Sequence, residues 1–489
     1  MQAKQDDTGP TMRLQRHFVV LLLLGSLLFF GALGNHQLQG STEPRVAGIA
    51  MEMHLDHDWV TPRLNGMAFL EKPPLSLWLD VAAIRLFGPT TLAVRLASAL
   101  AGLCCVLLLY MTLRRIGRPA ALALLAAFML LTLASFWSNA RQVGEDALLS
   151  FGVTLALLSF LRAWLAPPGA LSHWLAFAAG IAIATLSKGV LGLALPGVVI
   201  FACLLWDSVA QRRLQLSTWF RPLLWTLPGL VPLLVWLLFL YRDGGTAALQ
   251  EILWANSVGR FNGSFSEAGH FEPFYYYLVR LPQAFLPWNL LLYLGLWRFR
   301  KRLAQDRYLL FFYLWLLAQF ALLTLASSKR MVYLMSLAPA AAVIAAEYAN
   351  ELWRSWQARH AGSERWAWRA VLCVALLLPC SYLGYALWIE PRADRQESFL
   401  PLTDQIRQHQ QAGRQVALFQ PSERLAGASV FYSRSRLPAL QTREQLTAFL
   451  KGPGEPVAVL ESETVPQPPL NVLQQFRIGQ RDYFFIGPQ

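Results

Sequence analysis

Charge is scarce in this chain: Asp, Glu, Lys and Arg make up 15% of it, against 55% hydrophobic residues. Soluble globular domains carry about a quarter charged residues, so that class is excluded. Cysteine is scarcer still. All five copies, Cys104, Cys105, Cys203, Cys373 and Cys380, lie in apolar stretches without metal-ligand spacing. That excludes a disulfide scaffold or a zinc module and leaves them as small buried hydrophobes. No internal repeat is visible, and the polar groups gather at one water interface, which argues against a carrier built of two related halves around a midplane site. The formal net charge of +13 invites nucleic acid as a partner. Its basic clusters, however, fall between apolar runs, where positive-inside orientation puts them, so nucleic acid is set aside.

What the chain has is apolar length. Runs at 17–34, 90–112, 119–138, 147–165, 172–187, 190–206, 222–241, 279–297, 308–327, 331–348 and 370–389 read as roughly eleven membrane-spanning helices. The first follows Lys4, Arg13 and Arg16 as a signal peptide would, but no small-residue cleavage site follows, so it reads as a retained helix. Arg114, Arg115 and Arg118, then Arg212 and Arg213, then Arg298, Arg300, Lys301 and Arg302, then Arg354, Arg359, Arg365 and Arg369 mark one face. With the N-terminus, that face is cytoplasmic. The other face receives loop 35–89, turns 139–146, 187–189 and 327–330, loop 242–278 and the tail from 390. Segments 45–53 and 74–86 read as short helices lying along the membrane surface. In the tail, 416–419, 457–460 and 483–486 read as strands, and 402–410 and 443–450 as helices. The expected fold is thus a polytopic α-helical membrane protein with periplasmic interfacial helices and a small C-terminal α/β periplasmic domain. The domains are 1–389 and 390–489.

The charges that remain are concentrated. Residues 41–80 hold Glu43, Arg45, Glu52, Asp56, Asp58, Arg63, Glu71, Lys72 and Asp80. In Glu71-Lys72-Pro73-Pro74 the prolines keep the backbone extended, so Lys72 can be aimed without helix geometry. An interfacial ammonium suits a lipid phosphate; on its own it would serve equally as a headgroup anchor. Lys188, and Lys329 with Arg330, close apolar runs on that same face, where cations are least expected. Three lysines from distant segments at one depth read as a phosphate-binding cluster. Asp146 opens a span there, either as a helix-capping acid or as a site acid, with Glu145 as its solvated neighbour. Glu43 is the other candidate acid; Arg45 is its expected ion partner, so catalysis and an ion pair that fixes the loop both stay open. Loop 242–278 adds Arg260, His270 and an aromatic run that suits a membrane belt.

These pieces, in order, resemble the GT-C type membrane glycosyltransferases of the protein O-mannosyltransferase and lipid A aminoarabinose transferase group. The matching stretches are EPRVAGIAMEM, DWVTPRLNGMAFLEKPPLSLWL, VRLASAL, GEDALLSF, LSKGVLGLALPG, WANSVGRF with GHFEPFYYY, LPW and SSKRMVYLMSLAP, covering roughly 35–350. The resemblance implies a GT-C type fold. It also implies transfer of a sugar, 4-amino-4-deoxyarabinose or another monosaccharide, from a polyprenyl (undecaprenyl) phosphate carrier. The transfer would take place on the outer face of a bacterial inner membrane. The implied acceptor is a lipid such as lipid A or a glycan, with a protein as the alternative; a lipid-linked sugar transporter or flippase is the rival from another class. By motif, Lys72, Lys188 and Arg260 resemble carrier-phosphate ligands, joined by Lys329 and Tyr333, with His270 and Arg45 nearby. Glu43, Glu71 and Asp146 resemble the site acids. No cofactor is certain and a divalent metal is left open. One departure stands out: the family's first loop begins Asp-Glu and continues Arg-Tyr, whereas here the positions hold Thr42, Glu43, Arg45 and Val46. Glu43 would then have to act in place of the missing aspartate.

Overall fold

The chain's computed structural model describes residues 10–259, 271–360, 364–462 and 470–488. Seven of the described helices are long and apolar enough to cross a membrane: Thr91–Arg115, Asp146–Leu165, Leu171–Ala210, Leu216–Asn256, Arg307–Leu325, Met331–Arg359 and Arg365–Glu397. The protein is therefore a multi-span membrane protein. Arg16–Phe30 and Ala120–Leu131 are apolar but shorter. The run expected at 279–297 comes as two helices, Tyr276–Ala284 and Asn289–Phe299. Pro287, which cannot donate a helical hydrogen bond, lies in the break between them. The runs at 172–187 and 190–206 fall within one helical stretch broken at Lys188 (φ −146°) and Gly189 (φ 52°). A Cβ on Gly192 would lie 2.1 Å from the Ala184 carbonyl oxygen, so the second arm folds back tightly on the first.

Two units divide the chain. The larger comprises 1–31, 98–141 and 145–382. Helix Asp146–Leu165 packs there against the first arm of Leu171–Ala210, and glycine permits the closeness. A Cβ on Gly152 would meet the Ala184 nitrogen at 2.5 Å, and one on Gly180 the Ala156 nitrogen at 2.4 Å. Lipid chains are as apolar as leucine, so membrane helices associate through such close small-residue contacts. Here the contact sets the ends that carry Asp146 and Lys188 side by side.

The smaller unit comprises 32–97, 142–144 and 383–489. Its helices Thr42–Asp56 and Leu75–Phe87 are the two short helices expected near 45–53 and 74–86. Between them a hairpin pairs β1 (Arg63–Leu64) with β2 (Met67–Ala68) around Asn65 and Gly66, both at positive φ, as a tight two-residue turn requires. The tail forms β3 (Val416–Phe419), β4 (Ala439–Leu440), β5 (Val457–Ser462), β6 (Asn471–Ile478) and β7 (Arg481–Gly487). They make one sheet in the order β4-β3-β5-β7-β6, with β3 parallel to β4 and β5, and β7 antiparallel to both its neighbours. Helices Leu400–Gln411 and Arg443–Leu450 lie where the pattern places them; helix Glu423–Ser433 and β6 were not expected. Val46, Ile49, Met53, Val81 and Ile84 share one core with Leu402, Val416, Leu425, Phe431, Val459 and Phe485. Helices Thr42–Asp56 and Glu423–Ser433 cross where a Cβ on Gly48 would stand 2.3 Å from the Gly427 Cα.

Candidate active site

In the larger unit the polar centre is Lys188. Its backbone leaves helical geometry at the break, and its side chain is 4% exposed. Glu145 approaches it at 3.2 Å, Asp146 makes a shorter ion pair, and the Tyr333 ring centroid lies 4.5 Å away. A buried cation inside apolar surroundings persists only when it is paired. Glu145 is not the solvated neighbour expected: it is buried and shares the lysine, because the helix start aims both acids inward. The N-cap residue Glu145 makes no side-chain capping bond, and Asp146 is the acid of the first turn. Two carboxylates thus face one ammonium and one aromatic ring.

Lys329 is also buried, and its Nζ donates to the Glu272 carbonyl oxygen at 3.0 Å. Burial lowers its pKa, and Glu272 partly offsets that. Phe271 bridges Ser328, and the Tyr277 hydroxyl donates to the Arg330 carbonyl oxygen at 3.2 Å. The Ser328–Arg330 turn therefore straps down the chain that follows the 260–270 stretch. Arg260 and His270 lie outside the described residues.

In the smaller unit, Glu71 stands between two cations. Its Oε2 meets Arg45 Nη2 at 3.2 Å and its Oε1 accepts from Lys72 Nζ at 3.0 Å. Arg45 reaches Glu423 as well, at 2.8 Å, and lies over the Phe69 ring. The Lys72 side chain is 20% exposed. Glu43 belongs elsewhere. Arg45, two residues along the same helix, was its candidate partner, but the structure gives it to Arg95. Arg95 Nε donates to Oε1 at 2.9 Å and Nη2 to Oε2 at 2.7 Å, and the Gln39 and Val143 backbone N–H groups add a bond to each oxygen. Arg95 is fully buried and also donates to the carbonyl oxygens of Leu33, His36 and Gln37. Burial would raise the Glu43 carboxyl, yet Arg95 and these N–H groups hold it below its ordinary value.

Sequence reasoning left Arg95 unassigned within VRLASAL. The signal was there, since an arginine five residues into an apolar helix must find an acid. As to a divalent metal, no group of three or more His, Cys, Asp or Glu side chains converges among the described residues. Glu145 and Asp146, adjacent in the sequence, both pair with Lys188.

Residues 49–243 match the family model of dolichyl-phosphate-mannose-protein mannosyltransferases. Over 324 residues the chain is 31% identical to an undecaprenyl phosphate-alpha-4-amino-4-deoxy-L-arabinose arabinosyl transferase of Pseudomonas aeruginosa, covering 65% of this chain and 56% of that one. A protein of the same description from Erwinia tasmaniensis is 29% identical over 343 residues, covering 68% and 60%. The chain thus spans a little over half the length of the curated relatives it matches. Its fold matches the crystal structure of ArnT from Cupriavidus metallidurans bound to undecaprenyl phosphate. The TM-score is 0.75 and the identity 20%, over 96% of this chain and 97% of that one. The archaeal oligosaccharyltransferase AglB from Archaeoglobus fulgidus shares the fold more loosely, with a TM-score of 0.55 at 12% identity over 92% and 69%. With its membrane helices and small sheet unit, the chain has a GT-C type fold, and in sequence it is similar to the protein O-mannosyltransferases and the undecaprenyl-phosphate aminoarabinose transferases.

Proposed function

We propose that the protein is a glycosyltransferase that moves a sugar from a polyprenyl phosphate, undecaprenyl phosphate in a bacterium, to an acceptor such as lipid A. The reaction takes place on the outer face of the inner membrane, with the N-terminus cytoplasmic and the tail periplasmic. The observation that carries this reading is Lys188, a buried ammonium at a helix break, flanked by two carboxylates and a tyrosine ring.

The chemistry follows from where charge develops. The bond between the anomeric carbon and the carrier phosphate breaks with its electron pair on the phosphate oxygen. A cation fixed in a water-poor site stabilises that oxygen without reorganising. Lys188 supplies that cation, and Lys72 resembles a carrier-phosphate ligand by motif. Arg260 extends the set by motif. As the phosphate takes up the ammonium, Asp146 and Glu145 lose part of their partner and become proton acceptors. A hydroxyl acceptor forms its new bond to the anomeric carbon and gives its proton to one of these acids. An acceptor that is already a phosphate anion needs less help. Glu43, with both oxygens engaged, serves to fix the first loop, and Glu71 orients Arg45 and Lys72.

The test is release of labelled sugar from undecaprenyl phosphate by purified protein in liposomes, with lipid A or a hydroxyl-bearing peptide as acceptor. Transfer to lipid A supports the reading. Transfer to the peptide alone reassigns the acceptor, and intact carrier in every mixture rejects it.

A further inference from the structure

Gln319 sits inside the apolar helix Arg307–Leu325 and is fully buried. An amide in such surroundings costs several kcal/mol unless its groups are bonded, and leucine would pack there without that cost. Its bonds show what it holds. Nε2 donates to the Leu195 carbonyl oxygen at 3.0 Å, on the helical arm that leaves the break at Lys188. Oε1 accepts from the Ser336 hydroxyl at 3.1 Å and from Trp315 Nε1 at 3.2 Å, on the 3-10 segment Met331–Leu337 and its own helix. Trp315 Nε1 also reaches the Ser336 carbonyl oxygen at 3.0 Å, and the Ser150 hydroxyl donates to the Met335 carbonyl oxygen at 3.3 Å.

One side chain therefore ties the arm descending from Lys188 to the short turn that carries Tyr333. A 3-10 segment has poorer internal hydrogen bonding than an α-helix and holds its register less firmly by itself. Apolar packing alone would let that turn slide; two directional bonds from one amide do not. We propose that Gln319 is a positioning residue that sets Tyr333 against Lys188, keeping the ammonium presented to the carrier phosphate. The proposal rests on the reading of Lys188 given above.

The experiment uses the full chain in nanodiscs, with Gln319→Leu, Gln319→Glu, Ser336→Ala and Lys188→Ala beside the unmodified protein. Two quantities are read: affinity for undecaprenyl phosphate, and the Lys188–Tyr333 separation in a cryo-EM structure. Gln319→Leu is expected to weaken binding by about threefold and widen the 4.5 Å contact. A protonated glutamate keeps one donor and one acceptor, so Gln319→Glu should restore binding at acidic pH and lose it, relative to the unmodified protein, as pH rises. A merely space-filling role predicts no such pH profile. If Gln319→Leu does not fold, Ser336→Ala, which removes one hydroxyl, decides through the same separation. Unchanged affinity and unchanged separation overturn the proposal. If the separation widens while the unmodified protein fails to bind the lipid phosphate, the clamp stands and the phosphate reading falls.

Discussion

Arg95 grips the Glu43 carboxylate in a two-pronged ion pair, with Nε to Oε1 at 2.9 Å and Nη2 to Oε2 at 2.7 Å. The pair is buried and every Arg95 nitrogen is bonded to it or to a backbone carbonyl. Removing one partner strands the other, at a cost of about 3–5 kcal/mol. Arg95→Ala and Glu43→Ala should both lower the melting temperature markedly, whatever their effect on transfer. Because the folded Glu43 carboxyl lies below its ordinary 4.5, its contribution is present at neutral pH and above. It is lost as pH falls below 4.5 through the folded value. A melting series from pH 7 to pH 3 should show that loss in the unmodified protein and not in Glu43→Gln.

Asp80 predicts the opposite slope. It lies on the face of helix Leu75–Phe87 that also buries Leu77 and Ile84, it is 2% exposed, and its Oδ2 has no hydrogen-bond partner among the described residues. Burial alone pushes its carboxyl well above the usual 3.8. The folded state then binds its proton more tightly than the unfolded one, so stability falls as pH rises above 3.8. Asp80→Leu should stabilise the protein at pH 7 by about 1–3 kcal/mol, the cost of an unpaired buried polar group. A variant that melts lower than the unmodified protein would refute this.

Helix spans and the tail's main strands were legible because apolar length and alternation are local properties. Residues 443–450 and the strand at 416–419 read correctly from those alone. Helix Glu423–Ser433 escaped because its Gly427 and Ala428 carry little apolar signal. Gly427 is small because Gly48 packs on it, a contact between residues far apart in sequence. The β6 strand escaped because Gln474, Gln475 and Arg477 make an edge strand read as a polar loop. At the site, the lysines were legible as cations on an unexpected face, whereas their partners were not. Arg45 and Glu43 are neighbours in sequence, yet helix geometry sends one to Glu71 and the other to Arg95. Glu145 looked solvated because sequence does not show which side of a helix start faces the interior.

Gly152 controls the distance between Asp146 and Lys188. A Cβ there would already lie 2.5 Å from the Ala184 backbone nitrogen, so Gly152→Val must push the two helices apart. The expected result is loss of most transfer activity together with about 1–3 kcal/mol of stability. Gly197→Ala, where added bulk meets open space, is the control and should change neither.

Tyr333 presents its ring to the Lys188 ammonium. Tyr333→Phe keeps the face that lies 4.5 Å from Lys188, and Tyr333→Leu removes it. A cation–π contact contributes about 1 kcal/mol. Tyr333→Leu should therefore raise KM for the lipid donor roughly fivefold, with Tyr333→Phe close to the unmodified protein. Equal impairment in both variants would mean that the hydroxyl, not the ring, carries the role.

The function proposed requires Lys188 to stabilise charge on a departing lipid phosphate. Its most direct measurement is the single-turnover rate of labelled sugar release from undecaprenyl phosphate, for the unmodified protein, Lys188→Arg and Lys188→Ala at matched amounts of folded protein in liposomes. The expected result is release by the unmodified protein, a slower rate with Lys188→Arg, and a drop of about 100-fold or more with Lys188→Ala, on the order of losing one charge-stabilising donor. Release by Lys188→Ala at the unmodified rate would contradict it.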